Sequence, residues 1–244
     1  MTNTQFQQYK VWDLPTRVFH WANFITITSL IFVGIIMLFK KELGITSLEA
    51  KVSLKEIHVI IGYLFVLNFT WRIIWGFIGN KYARWKQLIP HRGFKDELRS
   101  YISSARNCEP PQYTGHNPMG RLAIIFIFLL MTTMMVTGLI RAGTDIYYPP
   151  FGSLAADYIA APGTDPASIQ PYVATGTDEE KVKNLKSFKG PFGTIHIYTS
   201  YVLMFMIVLH IFFVVRAEIV EGGSLITAMF TGKKLLTKNP VDLD

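Results

Sequence analysis

Four stretches of this chain are long and apolar enough to cross a lipid bilayer as helices, and this limits its fold more than any other feature. A hydrocarbon core about 30 Å thick needs about 20 apolar residues at helical rise. The stretches run roughly from Phe19 to Phe39, Ile57 to Ile78, Leu122 to Ile140 and Ile195 to Val215. None offers water a polar face, which argues against four buried helices of a soluble bundle. The predicted architecture is an all-α integral membrane protein. Residues 1–244 form a single membrane domain, a four-helix bundle with a long connection over residues 142–190.

Charge sets the direction of the bundle. Charged residues make up 17% of the chain and fall in blocks. The segment between spans two and three carries Lys81, Arg84, Lys86, Arg92, Lys95, Arg99, Arg106 and Arg121 against Asp96, Glu97 and Glu109. The next segment carries Asp145, Asp157, Asp165, Asp178, Glu179 and Glu180 against Lys181, Lys183, Lys186 and Lys189. The positive-inside rule places the basic segment and both termini in the cytoplasm, and residues 142–190 in the periplasm, of a bacterial inner membrane. Lys233, Lys234 and Lys238 agree with that direction. The net charge of +7 is therefore read against the membrane surface, with no nucleic-acid partner expected. No small-residue cleavage site follows the first apolar run, so it is expected to be retained.

The single cysteine, Cys108, excludes an internal disulfide, a thiolate cluster and a haem attached through Cys-x-x-Cys-His. Outside the spans, His91 to Arg106 reads as an amphipathic surface helix and Ser224 to Leu236 as a second. Tyr147-Tyr148-Pro149-Pro150-Phe151-Gly152 reads as an ordered aromatic cap at the outer interface.

Four of the six histidines, His20, His58, His196 and His210, fall in the spans or at their edges, where an ionisable ring is costly and points to function. His196 and His210 are fourteen residues apart. In a helix that spacing is about 21 Å of rise and brings both rings to within about 40° of one face. Because successive spans run in opposite directions, His58 matches the depth of His196 and His20 that of His210. Any one of these rings could be an interfacial core residue. Four rings at two matched depths are better explained as two bis-histidine sites, with span three contributing packing.

Two facing imidazoles suit the axial positions of a planar haem iron. Zinc favours a tetrahedral set of close ligands, and no carboxylate or thiol lies at those depths. The expected cofactors are two haem b groups, on the pairs His20/His210 and His58/His196. Arg17, three residues before His20, is a candidate partner for propionates. Gly34, Gly62 and Gly138 are small enough for a macrocycle to approach, although glycines in spans equally serve helix packing.

Several segments resemble the bacterial di-haem cytochrome b family that includes the cytochrome b subunits of nickel–iron hydrogenases. Val11-Trp12-Asp13-Leu14-Pro15-Thr16-Arg17-Val18-Phe19-His20-Trp21 is similar to the start of that family's first span, with its R-x-x-H-W core. Arg72 to Arg84 is similar to its R-x-x-W-x-F-x-G-N pattern, and Gly115-His116-Asn117-Pro118 to its segment before span three. The resemblance implies the same haem pairing. It also implies electron transfer between a periplasmic redox partner, such as a hydrogenase-like enzyme or c-type cytochrome, and membrane quinone. His116, Asn117 and Arg72 are the quinone candidates, offering hydrogen-bond donors near the inner face. Asn117 and Pro118 equally suit the cap and first turn of span three. Alternatives are a free-standing haem oxidoreductase acting on a small molecule such as superoxide, and a histidine-lined divalent-metal transporter.

Overall fold

A computed structural model describes residues 6–107, 110–221 and 224–243, so Cys108 and Glu109 lie outside the described residues. In chain order the elements are strand β1 (Gln7–Lys10), helices α1 (Leu14–Leu38), α2 (Leu48–Ile78), α3 (Trp85–Leu88), α4 (Phe94–Arg106), α5 (Pro118–Ile146), α6 (Gly152–Ile159), α7 (Glu179–Glu221) and α8 (Leu225–Thr231), and strand β2 (Lys233–Leu236). Helices α1, α2, α5 and α7 are each long and apolar enough to cross a membrane. Phe32, Leu67, Phe77, Phe205 and Val208 are 62% to 71% exposed on them. Water would penalise these surfaces, whereas acyl chains are as apolar as the side chains themselves.

The helices overrun the predicted spans. Helix α2 begins at Leu48 rather than near Ile57, and α7 at Glu179 rather than near Ile195. The added turns are mixed and polar, because hydropathy locates where a helix meets lipid and not where its hydrogen bonding stops. Helix α7 even passes through Pro191, which forfeits one backbone hydrogen bond. Its start is signalled by Asp178, whose carboxylate accepts from Lys181 N at 3.1 Å, and by Glu179 and Glu180 in the first turn. The connection expected over 142–190 therefore shrinks to residues 147–178, and it contains α6 and a 3-10 turn at Pro166–Ser168.

The chain divides into two compact units. The first draws on Met1–Phe24, Leu67–Leu129 and Met204–Asp244. In it β1 and β2 pair antiparallel, Gln7 opposite Leu236 and Lys10 opposite Lys233. The second helix expected over Ser224 to Leu236 is thus corrected. Gly232 takes a left-handed φ of 78° that ends α8, and its carbonyl accepts from Val11 N and Trp12 N at 2.9 and 3.1 Å. Val11, Trp12 and Ala228 form a small core there, with Tyr9, Tyr82 and Met229 packed against it. Likewise α4 starts at Phe94, not His91, after Gly93 at a φ of 91°.

The segments that carry the family resemblance meet physically in this unit. The carboxylate of Asp13 accepts from Thr16 N at 3.0 Å, Trp75 Nε1 at 3.0 Å and Asn80 N at 3.4 Å. The Asn80 side chain donates to Val11 O at 2.7 Å and accepts from Ala83 N at 2.9 Å. The missing side chain at Gly76 leaves room for the Trp85 ring, whose Nε1 donates to Ile73 O at 3.1 Å.

The second unit draws on Ile25–Val66 and Leu130–Leu203. Tyr63 Oη donates to Pro149 O at 2.5 Å, and Tyr148 Oη to Glu56 Oε1 at 3.2 Å, so the aromatic Tyr-Pro-Pro segment is tied to α2.

Burial would raise the Asp13 carboxyl, but the hydrogen bonds from Thr16, Trp75 and Asn80 hold it below its ordinary value. Its contribution to stability is therefore complete above the unfolded value of about 3.9 and is lost as pH falls through the lower folded value. Asp13→Ala is expected to cost on the order of 1 kcal/mol at neutral pH. Faster amide exchange over residues 13–17 and a lower Tm in detergent check this.

Candidate cofactor site

In the second unit, His58 on α2 and His196 on α7 face each other with ring centroids 6.3 Å apart and planes inclined at 71°. Two imidazoles bonded end-on to one metal, at about 2 Å per bond, stand with centroids about 6 Å apart. The spacing thus fits a single ion between the rings, and it also falls within the range of an edge-to-face ring contact. Two glycines flank the rings at distances where an added side chain would be in ordinary contact. A Cβ on Gly34 would lie 3.8 Å from His58 Cε1, and one on Gly138 3.5 Å from His196 Cε1. Gly62 faces open space.

The tautomer of His196 follows from hydrogen bonding. Thr137 Oγ1 lies 2.6 Å from Thr133 O, to which its proton goes, and 2.8 Å from His196 Nδ1. The hydroxyl oxygen must then accept from Nδ1–H, which leaves the Nε2 lone pair free to bind a metal. Helix α5, expected to contribute packing alone, also sets this ring. His58 Nδ1 and His20 Nδ1 are buried without a hydrogen-bond partner among the described residues. A neutral polar atom left so costs about 1–3 kcal/mol unless it gains a partner.

In the first unit, His20 on α1 and His210 on α7 are close enough for their charges to interact. Arg17 donates through Nη1 to Phe230 O, and its Nε is buried without a partner among the described residues. Arg72 is 4% exposed. It donates to Ala83 O at 3.0 Å and lies 5.3 Å from the ring centres of Trp85 and Phe128. Its Nη1 is buried without a partner among the described residues.

His116 packs on Trp12 at 4.7 Å between ring centroids. Burial, then the charges of Lys234, Arg72 and Arg121, push it down to about 3, so it is neutral at physiological pH. Asn117 caps α5, accepting from Gly120 N and donating to Tyr101 Oη, both at 2.7 Å. Its amide is thus already engaged at both ends. The loop is held from the C-terminal side. Lys234 Nζ donates to the carbonyls of Tyr113, Thr114 and Gly115 at 2.7, 3.3 and 3.0 Å. Asp242 accepts from Thr114 N at 2.6 Å and Gly115 N at 2.8 Å.

Among the described residues no group of three or more His, Cys, Asp or Glu is placed to hold a metal ion. Long apolar helices that turn paired imidazoles toward each other suit a membrane haem protein of the b type. Comparison with known proteins carries this further. The family model for prokaryotic cytochrome b561 matches residues 11–232, and the chain belongs to that family. It is a multi-pass bacterial membrane protein with a haem electron-transfer role.

The chain is 24% identical over 243 residues to a "Probable Ni/Fe-hydrogenase B-type cytochrome subunit" of Rhodobacter capsulatus, covering 95% of this chain and 83% of that one. It is 27% identical to a protein of the same description from Bradyrhizobium diazoefficiens, covering 92% and 85%. A similar subunit of Escherichia coli K12 is 30% identical over 139 residues, covering 52% and 57%. No solved structure matches.

The Thr137 hydroxyl, unlike the histidines, gives no signal by itself in sequence. Removing it frees the His196 ring to turn. Thr137→Val is expected to alter the spin-resonance signature and midpoint potential of one haem and leave any other unchanged. Thr137→Ser, which keeps the acceptor, should restore both. An unaltered signal in Thr137→Val would show that the hydrogen bond does not set the ring.

Proposed function

We propose that the protein holds two b haems, one on His58 and His196 and one on His20 and His210, and passes electrons between a periplasmic redox partner and the quinone pool. The observation that carries this reading is the His58–His196 pair, spaced for one ion and approached by two glycines. Haem iron supplies reversible one-electron chemistry; the chain orients it and excludes water from it. Arg17, beside His20, is a cation for the propionates of the haem on His20 and His210.

The names of the relatives support a nickel–iron hydrogenase-like partner. The basic residues between α2 and α5 support an orientation with the His20 and His210 end toward the cytoplasm, leaving the partner at the other face. Quinone then binds near His116 and Arg72. A neutral His116 can donate one N–H to a quinone carbonyl, and the unpartnered Arg72 Nη1 can donate a second hydrogen bond. Asn117 acts by fixing the start of α5, and so the position of His116.

Protein purified from its own membranes is expected to show a reduced-minus-oxidised haem b spectrum with two haems per chain. His58→Ala and His196→Ala should each lose the same haem, and His20→Ala and His210→Ala the other. Retention of both haems with unchanged spectra in His196→Ala would end the reading. His116→Leu is expected to slow electron exchange with a soluble quinol about tenfold or more while both haems stay bound.

A further inference from the structure

Three cations in the second unit converge on one buried carboxylate. Asp145 lies 3.1 Å from Lys55 Nζ, 2.5 Å from Arg141 Nη2 and 2.8 Å from Lys189 Nζ. The cations are largely shielded, with side chains 21%, 32% and 21% exposed. Asp145 is the one carboxylate they pair with among the described residues, so the group carries two positive charges in excess. Holding such an excess away from water is costly unless anions meet it.

The positions of the three say which anion. Lys55 lies three residues before His58 on α2, Arg141 four after Thr137 on α5, and Lys189 seven before His196 on α7. Each interval is one or two helical turns, so each cation shares a face with the residue its helix gives to the imidazole site. Arg141 reaches furthest toward that site. Its guanidinium sits where a side chain at Gly193 would be, one turn from His196, and its charge is felt by both His58 and His196.

From this juxtaposition we infer that Lys55, Arg141 and Lys189 clamp the two propionates of the haem on His58 and His196. Two propionates bring two negative charges and balance the excess. Asp145 is the internal counter-charge that keeps the cations assembled. Arg141 offers a planar fork suited to a carboxylate, and the lysines offer point charges. Other anions, such as lipid phosphates, could satisfy the charge alone but would not depend on the haem's own carboxylates. The inference rests on the bis-histidine reading.

Redox titration of the purified protein with R141Q, K189Q and D145N tests it. R141Q and K189Q are each expected to lower the midpoint of the haem on His58 and His196, by about tenfold in its reduction equilibrium, or 59 mV for one electron. D145N should raise it, and the other haem should not move. R141K, which keeps the charge, controls for a folding defect. Haem release to apomyoglobin supplies the second readout. R141Q should release natural haem faster than the unaltered protein. With haem whose propionates are methyl esters, the two proteins should release at equal rates. Midpoints unmoved by R141Q, or a release difference that survives esterification, would overturn the clamp. A protein that binds no haem b at all would instead overturn the bis-histidine reading.

Discussion

A histidine brought into a lipid bilayer carries two ring nitrogens that water no longer satisfies. That constraint falls here on four rings, and it is met by a neighbour at His196, while His20 Nδ1 and His58 Nδ1 stay without a partner among the described residues. His196 gives one nitrogen to the Thr137 hydroxyl, and its ring lies beside that of His58. The small residues Gly34 and Gly138 keep the surroundings of the pair open. Each helix near that pair therefore has a distinct task. Helix α2 supplies one ring, α7 the other, and α5 the hydroxyl that engages Nδ1 of His196. Such an arrangement suits the electron-transfer role of the family, because an iron held between two imidazoles would have no open position for a bound substrate.

The spans were legible because apolar length is read directly from residue type, and the histidines because ionisable rings are rare in such runs. The ends of the helices were less legible. The first turns of α2 and α7 are polar, and Pro191 interrupts the second of them without ending it. Thr137, Lys55 and Arg141 were missed for a related reason. A threonine in a span usually bonds its own helix, and Thr137 does so as well, to Thr133. Only the facing ring distinguishes it. The lysine and arginine lie at the edges of the apolar windows, where charge usually only flanks a span. Their register with the histidines, at one or two turns, was present in the sequence but has meaning only once the helices face one another. The pairing of β1 with β2 left no periodic trace at all, since four residues are too few to show one.

The segments that resemble a known family turn out to be a mechanical joint. Asp13, Trp75 and Asn80 tie the beginning of α1 to the end of α2, and Arg72 reaches the carbonyl of Ala83 from within α2. A pattern of Arg, Trp, Gly and Asn at fixed offsets reads at first as a binding motif. Here its polar atoms largely hold backbone groups or the Asp13 carboxylate, and Nη1 of Arg72 is left without a partner among the described residues.

The two-stranded sheet pairs Gln7 with Leu236, almost the full length of the chain. Such a contact gathers little from local order and has to wait for the intervening residues to find their places. Ribosomal synthesis delivers β2 long after β1. The hydrogen bonds that Gly232 accepts from Val11 and Trp12, and the three that Lys234 donates to the loop before α5, can form only then. The loop that leads to His116 is accordingly held in place by residues synthesised well after it.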